Sequence, residues 1–581
     1  MSAGLVILHD AATRSWLRFE QPIAILSTRR IEEVLPCLRE VDLAVQTKGY
    51  WAAGFISYEA APAFDPSLAT HSPGELPLVW FGLYLQPKTI ELPVDLQLKN
   101  EGKTQWMSSI SRAAYNRAIR HIKAQIACGN TYQVNFTYRL RAQLRADPWN
   151  YFLALQHAQS ANYGAFLDLG RYAICCASPE LFFRLDGETI TSRPMKGTAR
   201  RGPTYEADQR QADWLYQSEK NRAENVMIVD MIRNDLGRIA RTGSVHVDQL
   251  FQIERYPTLW QMTSSVSART EASLPDILAA LFPCASITGA PKISTMRIIY
   301  TLEAERRQIY TGCIGFIAPD HRAQLNVAIR TVWIDRETGQ AEYGVGGGIV
   351  WDSTAADEYE ECQTKASLLT SHRPPFQLLE TCLWRPGEGL FLEAYHLKRM
   401  GESARYFGFP FNQAAACREL EILSRGMPPE PHLIRLLLDE TGQFDCQAIP
   451  LKERPAPSRV RLQLAERPID SGSPFLYHKT THRQVYQAFE FDSARADDVL
   501  LWNERGELTE TRIANLIIKL DGAWLTPPVE SGLLAGTYRA WMLDQGLVKE
   551  QVLRIDDLRR ASEIAVINAV RKQRPAILVA S

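Results

Sequence analysis

Apolar positions along the chain fall into two periods, and the switches between them mark the elements. Tyr115, Ile119, Ile122 and Ile126 recur at helical spacing and Gly129 supplies a stop, which predicts an amphipathic helix. The following TYQVNFTYRL alternates and is rich in β-forming residues, so it reads as a strand. Residues 218–237 read as a helix with Met227, Ile228, Met231 and Ile232 on one side. EYGVGGGIV reads as a strand whose glycines imply close approach of its backbone to something else. Residues 355–369 read as a helix capped by Ser353 or Thr354. That helix cannot run through Pro374-Pro375, and Ser371-His372-Arg373-Pro374-Pro375 is the clearest boundary. The division is therefore a domain of residues 1–370, a linker at 371–375 and a second domain of 376–581, of mixed α/β (α+β) character, with no internal repeat and no low-complexity tract.

A chain of 581 residues is too long for one ordinary core and is expected to hold two to four domains. Its apolar (45%) and charged (23%) fractions are those of a globular protein, and a net charge of −1 draws it to neither nucleic acid nor an anionic membrane. No apolar run reaches the roughly 18–20 residues of a membrane span. The opening MSAGLVILHDAATRSW lacks the basic region and cleavage site of a secretory signal. The ten cysteines show no CxxC spacing, and Cys175 and Cys176 are adjacent; they read as reduced thiols in a cytoplasmic protein.

Polar residues cluster at element edges in five stretches: Ser178 to Phe182, Arg193 to Thr198, Lys220 to Asp235, Ser286 to Lys292 and Gly344 to Lys365. Each alone has a plain structural reading, as a turn, a surface loop or a solvated helix face. Glu358, Glu361 and Lys365 share one helix face. With Glu224 from another helix, the two glutamates make an oxygen-rich set suited to Mg²⁺. A salt-bridged helix face accounts for the same residues equally well.

The motifs YQVNFTYR, SPELF, RPMKGT, AENVMIVDMIRNDLG, SITGAPK, AIRT and GGGIV…EYEE…K, in that order, resemble the chorismate-utilising enzymes. That family includes the anthranilate, aminodeoxychorismate, isochorismate and salicylate synthases. Residues 1–100 match it chiefly through GYWAAGFISYE. The resemblance implies two facing antiparallel sheets with chorismate and Mg²⁺ in the cleft. It implies that Glu224, Glu358 and Glu361 hold Mg²⁺, and that Arg330 and Lys365 pair with substrate carboxylates. Gly346, Gly347 and Thr288 would complete that cradle, and Glu180 would be the general acid for the leaving C4 hydroxyl.

Two positions separate the branches of the family. Gln133 stands where isochorismate-forming enzymes carry the lysine that activates water, and glutamine cannot serve as that base. Lys196 stands where anthranilate synthases carry alanine; in aminodeoxychorismate synthases it is the nucleophile that attacks C2 before ammonia attacks C4. A lysine there could also be a charge partner of the glutamates. Asn221 replaces a glutamate of many relatives, Cys284-Ala285 replaces a common Gly-Gly, and Gln261 replaces the usual histidine of anthranilate synthases. No G-x-C-x-G glutaminase loop is present, so ammonia is expected from solution or from a separate glutamine amidotransferase subunit.

Beyond the prolines, FLEAYHLKRMGESARYFGF, YHKTTHRQVY, ELTETRIANLIIKLDGAWLTPP and GLLAGTYR resemble fold-type IV pyridoxal 5'-phosphate enzymes of aminotransferase class IV. Those include aminotransferases and aminodeoxychorismate lyase. The resemblance implies that Lys479 carries the cofactor and moves the proton, and that Glu510 binds the pyridine nitrogen. Arg399, backbone near Asn515, and Gly536-Thr537 would bind the phosphate, while His396 would pack structurally. GTYR stands where relatives often read GITR. The fusion itself favours the lyase, because an upstream product aminated at C4 is what a lyase would convert to 4-aminobenzoate for folate synthesis. The alternatives are an anthranilate synthase joined to an unrelated aminotransferase, or a synthase with an inactive second domain.

Overall fold

In strand Leu5–Asp10, Leu5 and Ile7 point to one face, Val6 and Leu8 to the other, and all four are buried. Such a strand needs cover on both sides. Val6 and Leu8 join an apolar layer with Phe19, Phe55, Trp80, Ile174 and Phe316, drawn from two sheets that face each other. Leu5 and Ile7 lie instead with Tyr115, Ile119 and Ile122 beneath a covering of helices. The second sheet is covered in the same way by helices Ile31–Lys48, Glu219–Gly237 and Leu274–Leu281. This unit is thus a helix–sheet–sheet–helix sandwich.

The computed structural model describes residues 4–93, 104–369, 375–451 and 459–579. They divide into one unit of Met1–Arg200 with Ala212–Arg373 and another of Arg201–Gln211 with Pro374–Ser581. Residues 371–374 of the expected linker lie outside the described residues. Residues 201–211, placed with the N-terminal domain by the linear division, cluster with the second unit. There Arg201 grips Asp208 through Nε (2.6 Å) and Nη2 (2.7 Å) and donates to the Tyr406 carbonyl (2.7 Å).

Both sheets of the first unit are ten-stranded among the described residues, and their pairings are antiparallel. One ends in Gly289–Ala290, Gln133–Gln143 and Gln340–Ile349, and the other in Met195–Arg200, Leu259–Arg269 and Thr189–Arg193. The expected helix before Gly129 spans Arg112–Ala127, with Ser111 Oγ accepting from the Ala114 amide at 3.2 Å. The helix expected at 218–237 is Glu219–Gly237 with Ser218 as its cap. Ala355–Ala366 is helical, capped by Thr354, and Ser367–Leu369 tightens into a 3₁₀ turn. The glycine-rich strand does meet close neighbours. A Cβ on Gly344 would strike the Tyr310 ring at 2.2 Å, and one on Gly346 the Phe136 carbonyl at 2.3 Å.

The second unit has two parts. A four-stranded sheet, Gly389–Leu390, Leu378–Arg385, His432–Leu438 and Phe444–Pro450, is packed by helices Glu393–Phe407 and Gln413–Arg425. The eight-stranded sheet closes on itself, because Leu508–Thr511 also pairs with Asn515–Leu520 through Glu510 and Asn515. The closing pair thus sets two polar side chains side by side at the barrel seam. Among the described residues no helix is long and apolar enough to cross a membrane.

Candidate active sites

Between Met195 and Thr198 the register against Leu259–Arg269 slips, and Gly197 adopts φ +93°. This bulge re-aims the Lys196 side chain. Gln261 pins it: its Nε2 donates to the Gly197 carbonyl at 2.8 Å and its Oε1 accepts from Thr198 Oγ1 at 3.2 Å. Asn221 Cβ would sit 3.1 Å from a Cβ on Gly197, and Asn221 Nδ2 donates to Ser218 Oγ at 2.9 Å. Asn221 thus finishes the helix start and packs under the bulge. Lys196 faces a cavity of about 170 Å³ whose lining includes Glu180, Glu224, Ser286, Arg330 and Gly346.

Glu180 lies in the turn between strands Tyr172–Ser178 and Leu181–Asp186, with Ser178 Oγ accepting from its amide at 3.2 Å. Its carboxyl is buried and accepts from Ser286 Oγ at 2.7 Å. Burial pushes it up to about 7, against the opposing pull of Ser286 and Lys196. At that value it holds a proton at neutral pH about half of the time.

Glu224, Glu358, Glu361 and Lys365 line the same cavity. Glu358 accepts from Ser353 Oγ at 2.6 Å, and burial with the Glu361 charge pushes it up to about 7. Burial also raises Glu224. Glu361 is paired with Lys365 at 2.7 Å, and Lys365 donates to the Gly346 carbonyl at 2.9 Å. Among the described residues no three carboxylate, imidazole or thiol side chains are drawn together tightly enough to ligate one ion. The donors nonetheless fit Mg²⁺ in kind: burial and the Glu361 charge raise Glu358 and Glu224, while Lys365 holds Glu361 low, and a Mg²⁺ ion with retained waters would offset the charge that three carboxylates place on one cavity.

Arg330 reaches the cavity from a left-handed backbone (φ +53°), a conformation that a non-glycine residue rarely holds. Its Nη1 donates to the Lys365 carbonyl at 3.4 Å. A Cβ on Gly347 would lie 3.0 Å from Glu358 Oε2, so that backbone borders the glutamate. Thr288 is not among the lining residues; its hydroxyl donates to the Cys284 carbonyl at 3.1 Å. Ser286 and Gln261 carry interactions that the sequence reading did not assign. The Ser-Ile-Thr-Gly run is local, but the partner of its serine lies 106 positions away.

In the second unit Lys479 follows His478 in a loop, and its carbonyl accepts from the Leu379 amide at 3.0 Å. Burial and the neighbouring Arg399 charge lower its ammonium to about 8. Glu510 is buried, and burial pushes it up to about 7. It accepts from Tyr486 Oη (2.8 Å), the Leu534 amide (3.0 Å) and Asn515 Nδ2 (3.1 Å). A Cβ on Gly536 would fall 1.9 Å from Asn515 Oδ1, and Gly536 caps helix Thr537–Asp544.

Arg399 is heavily engaged. Its Nε and Nη2 grip Glu380 at 2.8 and 2.6 Å, and Nη1 donates to the Ala535 carbonyl at 3.0 Å. His396 Nδ1 meets Glu380 Oε2 at 2.6 Å and its Nε2 lies 3.3 Å from Thr537 Oγ1. Glu380 thus ties the arginine to the helix start, a role that nothing in LLETCLW announces. Arg539 of GTYR turns away, to the Pro527 carbonyl (2.7 Å) and Glu550 (2.6 Å). An amine lowered to about 8, a carboxyl that can face a ring nitrogen and a glycine-capped helix start fit pyridoxal phosphate.

Residues 5–371 match the family profile described as chorismate binding enzyme, and the chain belongs to that family. Residues 377–578 match the profile described as amino-transferase class IV. Aminodeoxychorismate synthase component 1 of Salmonella typhimurium is 42% identical over 264 residues, covering 45% of this chain and 58% of that protein. Aminodeoxychorismate synthase of Streptomyces griseus is 36% identical over 392 residues, covering 66% of this chain and 50% of that protein. The chain therefore spans 50–58% of the length of these two relatives. The crystal structure of anthranilate synthase component I from Streptococcus pneumoniae TIGR4 superposes with a TM-score of 0.52 at 26% identity, covering 61% of this chain and 91% of that one. The expected class, mixed α/β with two facing antiparallel sheets followed by a class IV domain, is the one found.

Proposed function

We propose that the chain converts chorismate to 4-aminobenzoate in two steps, one in each of the domains 1–370 and 376–581. The observation that carries the reading is one cavity holding the Lys196 amine, a carboxyl at Glu180 that titrates near neutrality, and the cations Arg330 and Lys365. Arg330 and Lys365 bind the substrate carboxylates, bordered by the Gly346 and Gly347 backbone. Lys196 Nζ adds at C2 while the π electrons shift round the ring and the C4–O bond breaks. Glu180 gives its proton to the departing oxygen, which leaves as water. Ammonia adds at C4, the C2–N pair returns to Lys196, and a proton from the added nitrogen returns to Glu180. Glu224, Glu358 and Glu361 would hold Mg²⁺, whose charge offsets that of the ring carboxylate. Thr288 acts from behind, by fixing the backbone next to Ser286 and Ile287.

The second step eliminates pyruvate. Pyridoxal phosphate, when bound, supplies an electron sink that lets the C4 proton of the aminated ring leave. Lys479 holds the cofactor and moves that proton. Glu510 would meet the pyridine nitrogen, and Arg399, Asn515, Gly536 and Thr537 would hold the phosphate. The C3–O bond then breaks, the ring becomes aromatic, and the departing enolate takes the proton removed from C4 at its methylene carbon to leave as pyruvate.

The test is an incubation of the chain with chorismate, ammonium, Mg²⁺ and pyridoxal phosphate, with products identified by mass. The expected products are 4-aminobenzoate and pyruvate; anthranilate as the main product overturns the first step. Glutamine alone should give no turnover while ammonium at alkaline pH does, since a separate amidotransferase subunit is the expected source of ammonia from glutamine. Efficient use of glutamine by the single chain would refute that partner. The reading places the protein in the cytoplasm.

A further inference from the structure

Gln133 begins strand Gln133–Gln143, and its side chain is completely buried (0% exposed). Neither its Nε2 nor its Oε1 has a hydrogen-bond partner. A buried carboxamide with both ends unmatched destabilises the fold, so its retention calls for a reason other than stability.

The reason lies across the strand pair. Gly348 is the register partner of Asn135, two residues on from Gln133 and on the same face of the strand. A Cβ built on Gly348 would lie 2.4 Å from Lys196 Nζ, 2.9 Å from Gln133 Nε2 and 3.1 Å from Gln133 Cδ. The hollow left by the absent side chain is therefore filled by the head of Lys196 and the amide of Gln133. A side chain at 348 would occupy the space that both groups border.

We propose that Gln133 is a positioning residue for Lys196. Half a turn about its terminal bond exchanges Oε1 and Nε2 without moving any other atom. The turn breaks no hydrogen bond, because neither atom has one to lose. Oε1 then accepts an N–H of Lys196 Nζ, seating the amine over Gly348 with its lone pair directed into the cavity. A carboxamide suits this task because it accepts a hydrogen bond without retaining a proton. A carboxylate in its place would add a further negative charge to those of Glu180, Glu224 and Glu361, whereas the neutral carboxamide adds none.

The proposal rests on the reading of Lys196 as the nucleophile, so its test begins with a reaction that needs no chorismate. The full chain is treated with limiting acetic anhydride, and acetylation of Lys196 relative to the other lysines is read by peptide mass. In Gln133→Met, equal in length but without polar atoms, acetylation of Lys196 should fall about threefold or more. In the chorismate reaction kcat should fall about 10- to 100-fold, with KM for chorismate and for ammonium each within about twofold. Gly348→Ala places its Cβ against the flexible end of Lys196 and should produce the same two changes. The double variant should be no worse than the poorer single one, because both break the same contact. Unchanged acetylation and kcat in a Gln133→Met protein with a native melting temperature overturns the proposal. So does a raised KM for ammonium with unchanged acetylation, which would assign Gln133 to the incoming nucleophile. If Gln133→Met does not fold, Gly348→Ala decides by the same readings. Full amination by Lys196→Ala would instead remove the nucleophile reading, and acetylation would still decide whether Gln133 holds that amine.

Discussion

Glu180 and Glu510 are both pushed up to about 7 by burial, yet their surroundings equip them for different work. Glu180 accepts one side-chain hydrogen bond, from Ser286. Glu510 accepts two from side chains, Tyr486 and Asn515, and a third from the Leu534 amide. The Met195 amide also reaches Glu180, so Glu180 has two donors against the three of Glu510, and more of its oxygen lone pairs stay open to a ligand. The lysines differ in their charged neighbours. Lys479 sits beside the Arg399 guanidinium, while Lys196 lies among the charges of Glu180, Glu224 and Glu361. One pair of residue types, lysine and glutamate, is thus set to two tasks by what surrounds each member.

The strongest way to break this comparison is to remove each lysine in turn. Lys196→Ala should lower amination by about 10³-fold or more and leave the absorbance of bound pyridoxal phosphate unchanged. Lys479→Ala should do the reverse: chorismate is consumed, the aminated intermediate accumulates and little pyruvate appears. An added lyase should then restore the aromatic product. Normal 4-aminobenzoate formation by Lys479→Ala would show that the second domain is not the lyase.

Replacing the proton donor should have a smaller effect. Glu180→Gln keeps the Ser286 contact but has no proton to give, and kcat should fall about 10²- to 10⁴-fold. Because burial raises this carboxyl to about 7, it is protonated below that pH and ionised above it. At fixed free ammonia, kcat/KM for chorismate should therefore decline as pH rises through about 7 in the wild type. The same decline in the Glu180→Gln protein would assign it to another group.

What could be read from the sequence was local. The helix Glu219–Gly237, the strand Gln133–Gln143 and the glycine-rich strand announced themselves by period and by composition. Glu358, Glu361 and Lys365 share a helix face, and the Glu361–Lys365 ion pair shows that the plain salt-bridge reading of that face is realised as well. What stayed hidden depends on pairings between distant segments. Ser286 meets Glu180, and Gln261 holds the bulge that aims Lys196. Glu380 of strand Leu378–Arg385 binds Arg399 and His396 of helix Glu393–Phe407, and the barrel closes through Glu510 and Asn515. No spacing rule relates such residues, because the register that joins them is set by whole sheets. Thr288 illustrates the converse: its motif was legible, but its hydroxyl turns to the backbone.

The smallest expected effect concerns how Lys479 takes up its cofactor. Only the neutral amine attacks an aldehyde, and burial with the Arg399 charge lowers this ammonium to about 8. Attachment of pyridoxal phosphate, followed by absorbance under stopped flow, should therefore accelerate with pH and level off above about 8. Between pH 7 and pH 9 the neutral fraction of such a group rises only about tenfold, whereas an ordinary lysine gains about a hundredfold with no plateau. The Lys196→Ala protein should give the same curve, since that lysine belongs to the other site. A hundredfold climb without a plateau would mean that the barrel leaves Lys479 as an ordinary surface amine, and the contrast between the two lysines would lose its physical basis.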